Sequence, residues 1–210
     1  MKGEVLWKIS FQGKVPIVDP RRYLHIYQWS KNSTYLYFYY AFSYDGVHTL
    51  WDGFDLQVMD IKTGYFQNVI YANSLTAFRF SPDERYLAYT RADDSPRRLF
   101  IRDMKNGTER SVVAHPASEN FVQVGWIDWS ADGQNIVYHS MEDEWVQVFD
   151  LNVATMQTKM VFEYWVESYW FNGWSEDGSS LEFISYEQEI IAINIDSGEQ
   201  ITVGTATPTP

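Results

Sequence analysis

The chain has 210 residues, 45% hydrophobic and 21% charged, an ordinary globular composition. Its net charge of -12 leaves no basic patch of the kind that nucleic-acid binding requires, and an acidic surface is repelled by anionic membranes. Cysteine is absent, which excludes disulfides and thiolate chemistry and removes the usual ligand of structural zinc. Aromatic residues make up 18% of the chain, with 9 Trp, 15 Tyr and 13 Phe, and flat rings favour pleated, half-buried strands. The first residues, Met1-Lys2-Gly3-Glu4, lack the apolar stretch of a signal peptide, and no apolar run approaches the length of a membrane span.

From the N-terminus, the sequence Val5-Leu6-Trp7-Lys8-Ile9-Ser10-Phe11-Gln12-Gly13 reads as a strand running into a glycine turn, with a short strand over 14–18. A turn and strand follow in Trp29-Ser30-Lys31-Asn32-Ser33-Thr34-Tyr35-Leu36-Tyr37-Phe38. The same segment returns as Phe80-Ser81-Pro82-Asp83-Glu84-Arg85-Tyr86-Leu87-Ala88-Tyr89, again from Trp129 to Tyr138, and again from Trp174 to Phe183. In each copy an aromatic residue precedes a serine, the fourth position is Asp or Asn, the eighth is Leu or Ile and the tenth is Phe or Tyr. Ser and Asp or Asn bond their own backbone and Gly accepts a positive φ, so the segment predicts a tight hairpin between two strands. A competing register for the first copy starts at Ser43-Tyr44-Asp45-Gly46; the Ser30 register gives the more even spacing.

A second signature follows each copy: Leu56 to Gly64, Leu99 to Gly107, Val146 to Ala154 and Ile190 to Gly198. Each is an alternating strand ending near an Asp or Asn (Asp60, Asp103, Asp150, Asn194) and entering a polar turn. Short closing strands are predicted over 65–71, 108–113, 157–163 and 199–203. No amphipathic helix of three turns is found. The repeat spacing of about 45–50 residues is that of propeller blades, with four strands, A to D, per repeat.

These motifs resemble the TolB-type, WD-like β-propeller repeat, whose core pattern is aromatic-Ser-Pro-Asp-Gly, then a strand, then an Ile-Tyr-x-x-Asp strand. The second copy keeps Ser81-Pro82-Asp83, and the third and fourth keep Ser-x-Asp-Gly. The first, Ser30-Lys31-Asn32-Ser33, departs most. The resemblance spans residues 4–203 and implies an all-β fold, a β-propeller of four-stranded antiparallel blades. Its expected organisation is a half blade at 4–18, then blades at about 24–71, 75–113, 121–163 and 165–203. Residues 204–210 form a Thr/Pro-rich tail or linker, a composition that points towards an extracytoplasmic or cell-surface setting. The half blade lacks A and B strands and leaves open edges, so self-association, or completion by further blades of a larger propeller, is expected; the alternative is a compact four-bladed ring with the hairpin folded onto it.

In such a blade the A–B and C–D turns lie at one end and the B–C and D–A loops at the other. The second end varies between repeats, and variable loops on a rigid scaffold are where binding usually resides. The longest B–C loop runs from Tyr44 to Phe54 and carries His48 and Trp51; the next contains Arg97 and Arg98; the third is Met141-Glu142-Asp143-Glu144-Trp145; the fourth is short, at Tyr186-Glu187. The D–A loops add Arg21, Arg22, Tyr23, His115 and Trp165. The candidate binding residues are Tyr44, His48, Trp51, Arg97, Arg98 and Glu144. Each also fits a structural role, Trp51 as loop packing and the charged residues as a solvated rim.

No catalytic residue is assigned: there is no Gly-x-Ser-x-Gly elbow, His-Glu-x-x-His or phosphate-cradling glycine loop. No metal site or cofactor is assigned either, since Glu142-Asp143-Glu144 lacks the spacing of a calcium loop. The expected function is a non-catalytic binding scaffold for a protein or peptide partner, with no nucleic acid and no membrane insertion. The alternatives are a glycan-binding or glycan-active propeller, and the accessory propeller of a larger hydrolase. The aromatics of the four Ser motifs, Trp29, Phe80, Trp129 and Trp174, are expected to be mostly buried.

Overall fold

A computed structural model describes residues 22–42, 53–71, 75–91, 97–114 and 123–206. All regular structure within them is β, in sixteen antiparallel strands that form four four-stranded blades. By compactness the chain divides into two units, Met1–Leu75 and Thr76–Pro210.

The first unit holds blade 1: β1 (Arg22–Trp29), β2 (Tyr35–Phe42), β3 (Gly53–Asp60) and β4 (Phe66–Asn68), paired in chain order. Leu36, Phe38 and Met59 are buried together on one face, with Ile61 against them. On β3, Leu56 is fully buried, and its carbonyl accepts from the N–H groups of Val69 and Ile70 at 2.7 and 3.2 Å.

The second unit holds the other three blades from Thr76 on, Leu75 at the start of β5 falling to the first. Blade 2 is β5 (Leu75–Phe80), β6 (Tyr86–Arg91), β7 (Arg98–Asp103) and β8 (Glu109–Val113). Blade 3 is β9 (Gln123–Trp129), β10 (Asn135–Glu142), β11 (Trp145–Asn152) and β12 (Gln157–Trp165). Blade 4 is β13 (Tyr169–Trp174), β14 (Ser180–Ser185), β15 (Glu189–Asn194) and β16 (Gln200–Thr205).

The repeated Ser motif forms the same A–B turn in all four blades. The serine hydroxyl donates to Asn32, Asp83, Asp132 or Asp177 at 2.7–2.8 Å. It also accepts from the backbone N–H five residues on, at Tyr35, Tyr86, Asn135 and Ser180, at 2.9–3.0 Å. The turn needs a left-handed residue after the Asp or Asn. Gly133 and Gly178 supply it at φ 70° and 72°, and Ser33 and Glu84 adopt it at 57° and 60°. This is the Ser30 register for blade 1. The carboxyls of the turn are held below their ordinary pKa by these bonds. The Ser81 hydroxyl is the main cause for Asp83, the Gln134 N–H for Asp132 and the Ser179 N–H for Asp177.

The C–D turns repeat as well, with one change of register. Asp60, Asp103 and Asn194 accept from N–H groups two or three residues on and close their turns over Gly64, Gly107 and Gly198. In blade 3 this role falls to Asn152, not Asp150. The Thr155 N–H donates to Asn152 Oδ1 at 3.0 Å, and Met156, at φ 58°, stands where the other blades have glycine. Asp150 is left inside strand β11. It accepts from Asn135 Nδ2 at 3.2 Å, and burial pushes its carboxyl pKa up.

Blade 3 is buried on both sides. Towards blade 2 it presents Trp129, Tyr138, Phe149 and Leu151, which meet Ala77, Ala88, Ala114 and Leu99. Large groups thus face small ones, as dense packing requires. Trp129 is 5% exposed; its Nε1 donates to the Arg79 carbonyl at 3.0 Å, and its ring lies nearly parallel to Tyr86. Towards blade 4, Val137, Val148, Phe162 and Tyr164 pack on Leu181, Phe183 and Ile193. Here Trp126 lies flat on Phe171, with centroids 3.9 Å apart and planes 7° apart. At the turn end, Lys159 Nζ donates to the carbonyls of Ile195 and Asp196 at 3.0 and 2.7 Å.

The four motif aromatics are not equivalent in burial. Phe80 and Trp129 are buried and Trp174 is partly buried, but Trp29 is 50% exposed. Trp129 owes its cover to Arg79 and Tyr86 of the preceding blade. The repeat preceding Trp29, at residues 4–18, lies outside the described residues. Trp129→Ala is therefore expected to cost about 3–5 kcal/mol of unfolding free energy and Trp29→Ala less than about half of that, as read from urea titrations.

His139 sits in the seam between blades 3 and 4, edge-on to Trp126 at 5.1 Å, with its Nδ1 sealed from solvent and unbonded. Burial pushes its pKa down to about 4. The unfolded ring takes a proton near pH 6.5 that the folded ring refuses, so stability falls as pH drops from about 6.5 towards about 4. The turn carboxylates have lowered folded pKa values, so their contribution is complete above the ordinary carboxylate pKa and is lost only at still lower pH. Urea titrations should show two acid-side declines. His139→Leu should abolish the first, of about 2–3 kcal/mol, and leave the second.

Candidate functional site

The B–C turns of blades 3 and 4 and the D–A connection between these two blades lie among the described residues. Strands β10 and β11 join through Asp143 and Glu144, with Asp143 at φ 54°, a conformation that aspartate tolerates better than most side chains. Strands β12 and β13 join through Val166–Ser168, where the Ser168 N–H donates to the Trp165 carbonyl at 2.8 Å. Strands β14 and β15 join through Tyr186–Gln188. There the N–H groups of Gln188 and Glu189 donate to the carbonyl and hydroxyl of Ser185 at 2.9 and 3.1 Å.

Backbone bonds stitch the three turns into one strip. The Val166 N–H donates to the Glu144 carbonyl at 2.9 Å, tying the first turn to the second. The Tyr186 N–H donates to the Ser168 carbonyl at 3.1 Å, tying the second to the third. The Ala206 N–H reaches the Gln188 carbonyl at 2.7 Å and anchors the third to the end of β16.

Large apolar groups stand out from this strip. Trp145 and Trp165 are direct cross-strand partners, with rings edge to face at 5.4 Å and 86°. They are 48% and 42% exposed, and Tyr186 is 78% exposed. Val166 is exposed beside them. Directly below the tryptophans, Gln147 Nε2 donates to Glu163 Oε1 at 3.1 Å. Asp143, Glu144, Glu167 and Glu187 are exposed around the aromatics.

Of the residues selected from sequence, Glu144 lies in this strip. Tyr44, His48 and Trp51 lie outside the described residues. Arg97 is 4% exposed, and its guanidinium donates to the Arg91 carbonyl, so it braces the neck of its own loop. Arg98 is half-buried and donates to Ser111 Oγ at 3.1 Å. The strip's aromatics were not among the selected residues. Trp145 and Trp165 become a pair only through the β11–β12 register, and the short Tyr186 loop carries no length signal.

Among the described residues, no three His, Asp or Glu side chains gather to hold a metal, and no helix is long and apolar enough to cross a membrane. In blade 2, Tyr89 bonds Glu109, and Arg91 bonds Tyr89 at 2.9 Å and Glu109 at 3.3 Å. Burial, then the Glu109 bond, pushes the Tyr89 pKa up. The phenol therefore stays protonated and donating, which makes it a brace for the blade.

No protein-family description matches the chain, and no curated protein does. Solved structures do. An oligogalacturonate lyase in complex with manganese matches at 16% identity and TM-score 0.58, over 83% of this chain and 51% of that one. TolB from Acinetobacter baumannii matches at 15% identity and TM-score 0.51, over 71% and 37%. Dipeptidyl peptidase 4 from Porphyromonas gingivalis matches at 14% identity and TM-score 0.63, over 97% and 35%. The chain thus spans about half or less of each of these proteins. At these identities the likeness shows the fold, and that fold is a β-propeller arrangement of four-stranded blades.

Proposed function

We propose that the chain is a non-catalytic binding scaffold, and that the variable end of blades 3 and 4 holds a protein or peptide segment. The observation that carries this reading is the strip of three turns, fixed to one another by backbone bonds, from which Trp145, Trp165 and Tyr186 project. Exposed aromatics on a rigid frame bury large area on contact at little cost in side-chain entropy, and such residues dominate interface energies. Likeness to TolB and to other propeller domains supports a role in protein interaction in general terms.

Two other readings have specific support. The tryptophan pair above Gln147 and Glu163 also suits a sugar ring, and an oligogalacturonate lyase is among the similar structures. The likeness to a dipeptidyl peptidase supports an accessory propeller beside a separate hydrolase domain. Such a propeller would still bind through its loops.

The test is selection of a displayed random peptide library on the full chain, followed by titration of the selected peptides. Trp145→Ala with Trp165→Ala should weaken them about thirtyfold, the loss of a hot spot of about 2 kcal/mol. Peptides that bind the double variant as tightly as the parent chain would refute the reading.

A further inference from the structure

We infer that the segment held on this aromatic strip is basic: a stretch of peptide whose arginine or lysine side chains lie over Trp145 and Trp165. The inference rests on the scaffold reading and adds the chemistry of the partner.

The charge on the three turns is of one sign. Segments 140–147, 163–170 and 184–190 contain no lysine or arginine. They contain Asp143 and Glu144 beside Trp145, Glu167 two residues after Trp165, and Glu187 beside Tyr186. None of these four acids makes an ion pair among the described residues. The backbone ties set the turns that carry these acids side by side, so a cationic partner meets charge of one sign along the strip.

The opposite end of blades 2 to 4 behaves differently. There Asp83, Asp132 and Asp177 are committed to their own turns by hydrogen bonds, and Arg85, Lys105 and Lys159 stand among them. Among the described residues, Asp143, Glu144, Glu167 and Glu187 close no turn with their side chains.

The aromatic rings favour the same partner. The face of an indole is electronegative, and a guanidinium is the side chain that most often occupies it. An anionic glycan such as a polyuronate meets repulsion here. A purely apolar peptide would cover the rings but desolvate the surrounding carboxylates without pairing them.

The probe is a synthetic nonapeptide of alternating arginine and glycine, beside its citrulline counterpart of the same shape without charge. Both are titrated by calorimetry against the full chain, with circular dichroism confirming that each variant is folded. The arginine peptide should bind about tenfold or more tightly than the citrulline peptide. Glu144→Gln, Glu167→Gln and Glu187→Gln together should weaken it about tenfold, and Trp145→Ala with Trp165→Ala at least as much. Glu176→Gln, Asp196→Asn and Glu199→Gln together remove the same charge from the opposite end and should leave binding within about twofold.

An equal loss in that control set would reduce the effect to net charge and overturn the inference. Equal binding of the citrulline peptide, still lost in the tryptophan variant, would remove the charge preference and leave the scaffold reading standing. Neutral xylohexaose binding through the tryptophan pair, with neither peptide binding, would overturn both in favour of a glycan site.

Discussion

The serine hydroxyl of the A–B turn is the contact on which each blade depends. It donates to a side-chain oxygen two residues ahead and accepts from a backbone N–H five residues ahead, so one atom fixes both the width of the turn and the register of the strands it joins. Register decides everything above it. A slip of one residue between β9 and β10 would turn Ile136 and Tyr138 towards blade 4 and Val137 towards blade 2. Both faces of blade 3 would then lose their complement, because one neighbour offers three alanines beside Leu99 and Ile101 and the other offers Phe183 beside Leu181 and Ile193.

That two-sided burial explains why the blades of the second unit read so strongly as strands. β10 presents apolar residues in succession, Ile136-Val137-Tyr138, since both of its faces are interior. The costs of such a seam appear in the groups it traps. His139 holds a ring whose protonation burial disfavours, and Asp150 sits on a strand among neighbours that shield it from water.

Much of this was legible in the sequence. Four copies of one turn motif carry their own chemistry, and the Ser30 copy forms the same hydroxyl bridge as the others although it lacks both Pro and Gly. Two features were not legible, for reasons that are physical. The repeat pattern aligns the blade 3 C–D turn on Asp150, but Asn152 performs the same capping, and an Asn two residues downstream of an Asp leaves composition unable to choose between them. Trp29 shares its motif with Trp129 but is 50% exposed, and the cover of Trp129 comes from Arg79 and Tyr86, which lie outside its own motif copy. A loop arginine looks solvated from sequence, yet Arg97 turns inward to a carbonyl. The tryptophan pair is a property of strand pairing, which no single segment displays.

The ties that hold the three variable-end turns together run from N–H to carbonyl, at Glu144 with Val166 and at Ser168 with Tyr186. Such bonds are indifferent to the side chains of the residues that make them. The frame can therefore be kept while its outward chemistry is exchanged, and drift at Glu144, Val166, Tyr186 or Glu187 alters what is displayed without loosening how it is held. For protein engineering this makes the edge of blades 3 and 4 a natural panel for randomised residues. Its geometry is specified by the main chain, and its selectivity is left to whatever side chains are written on it.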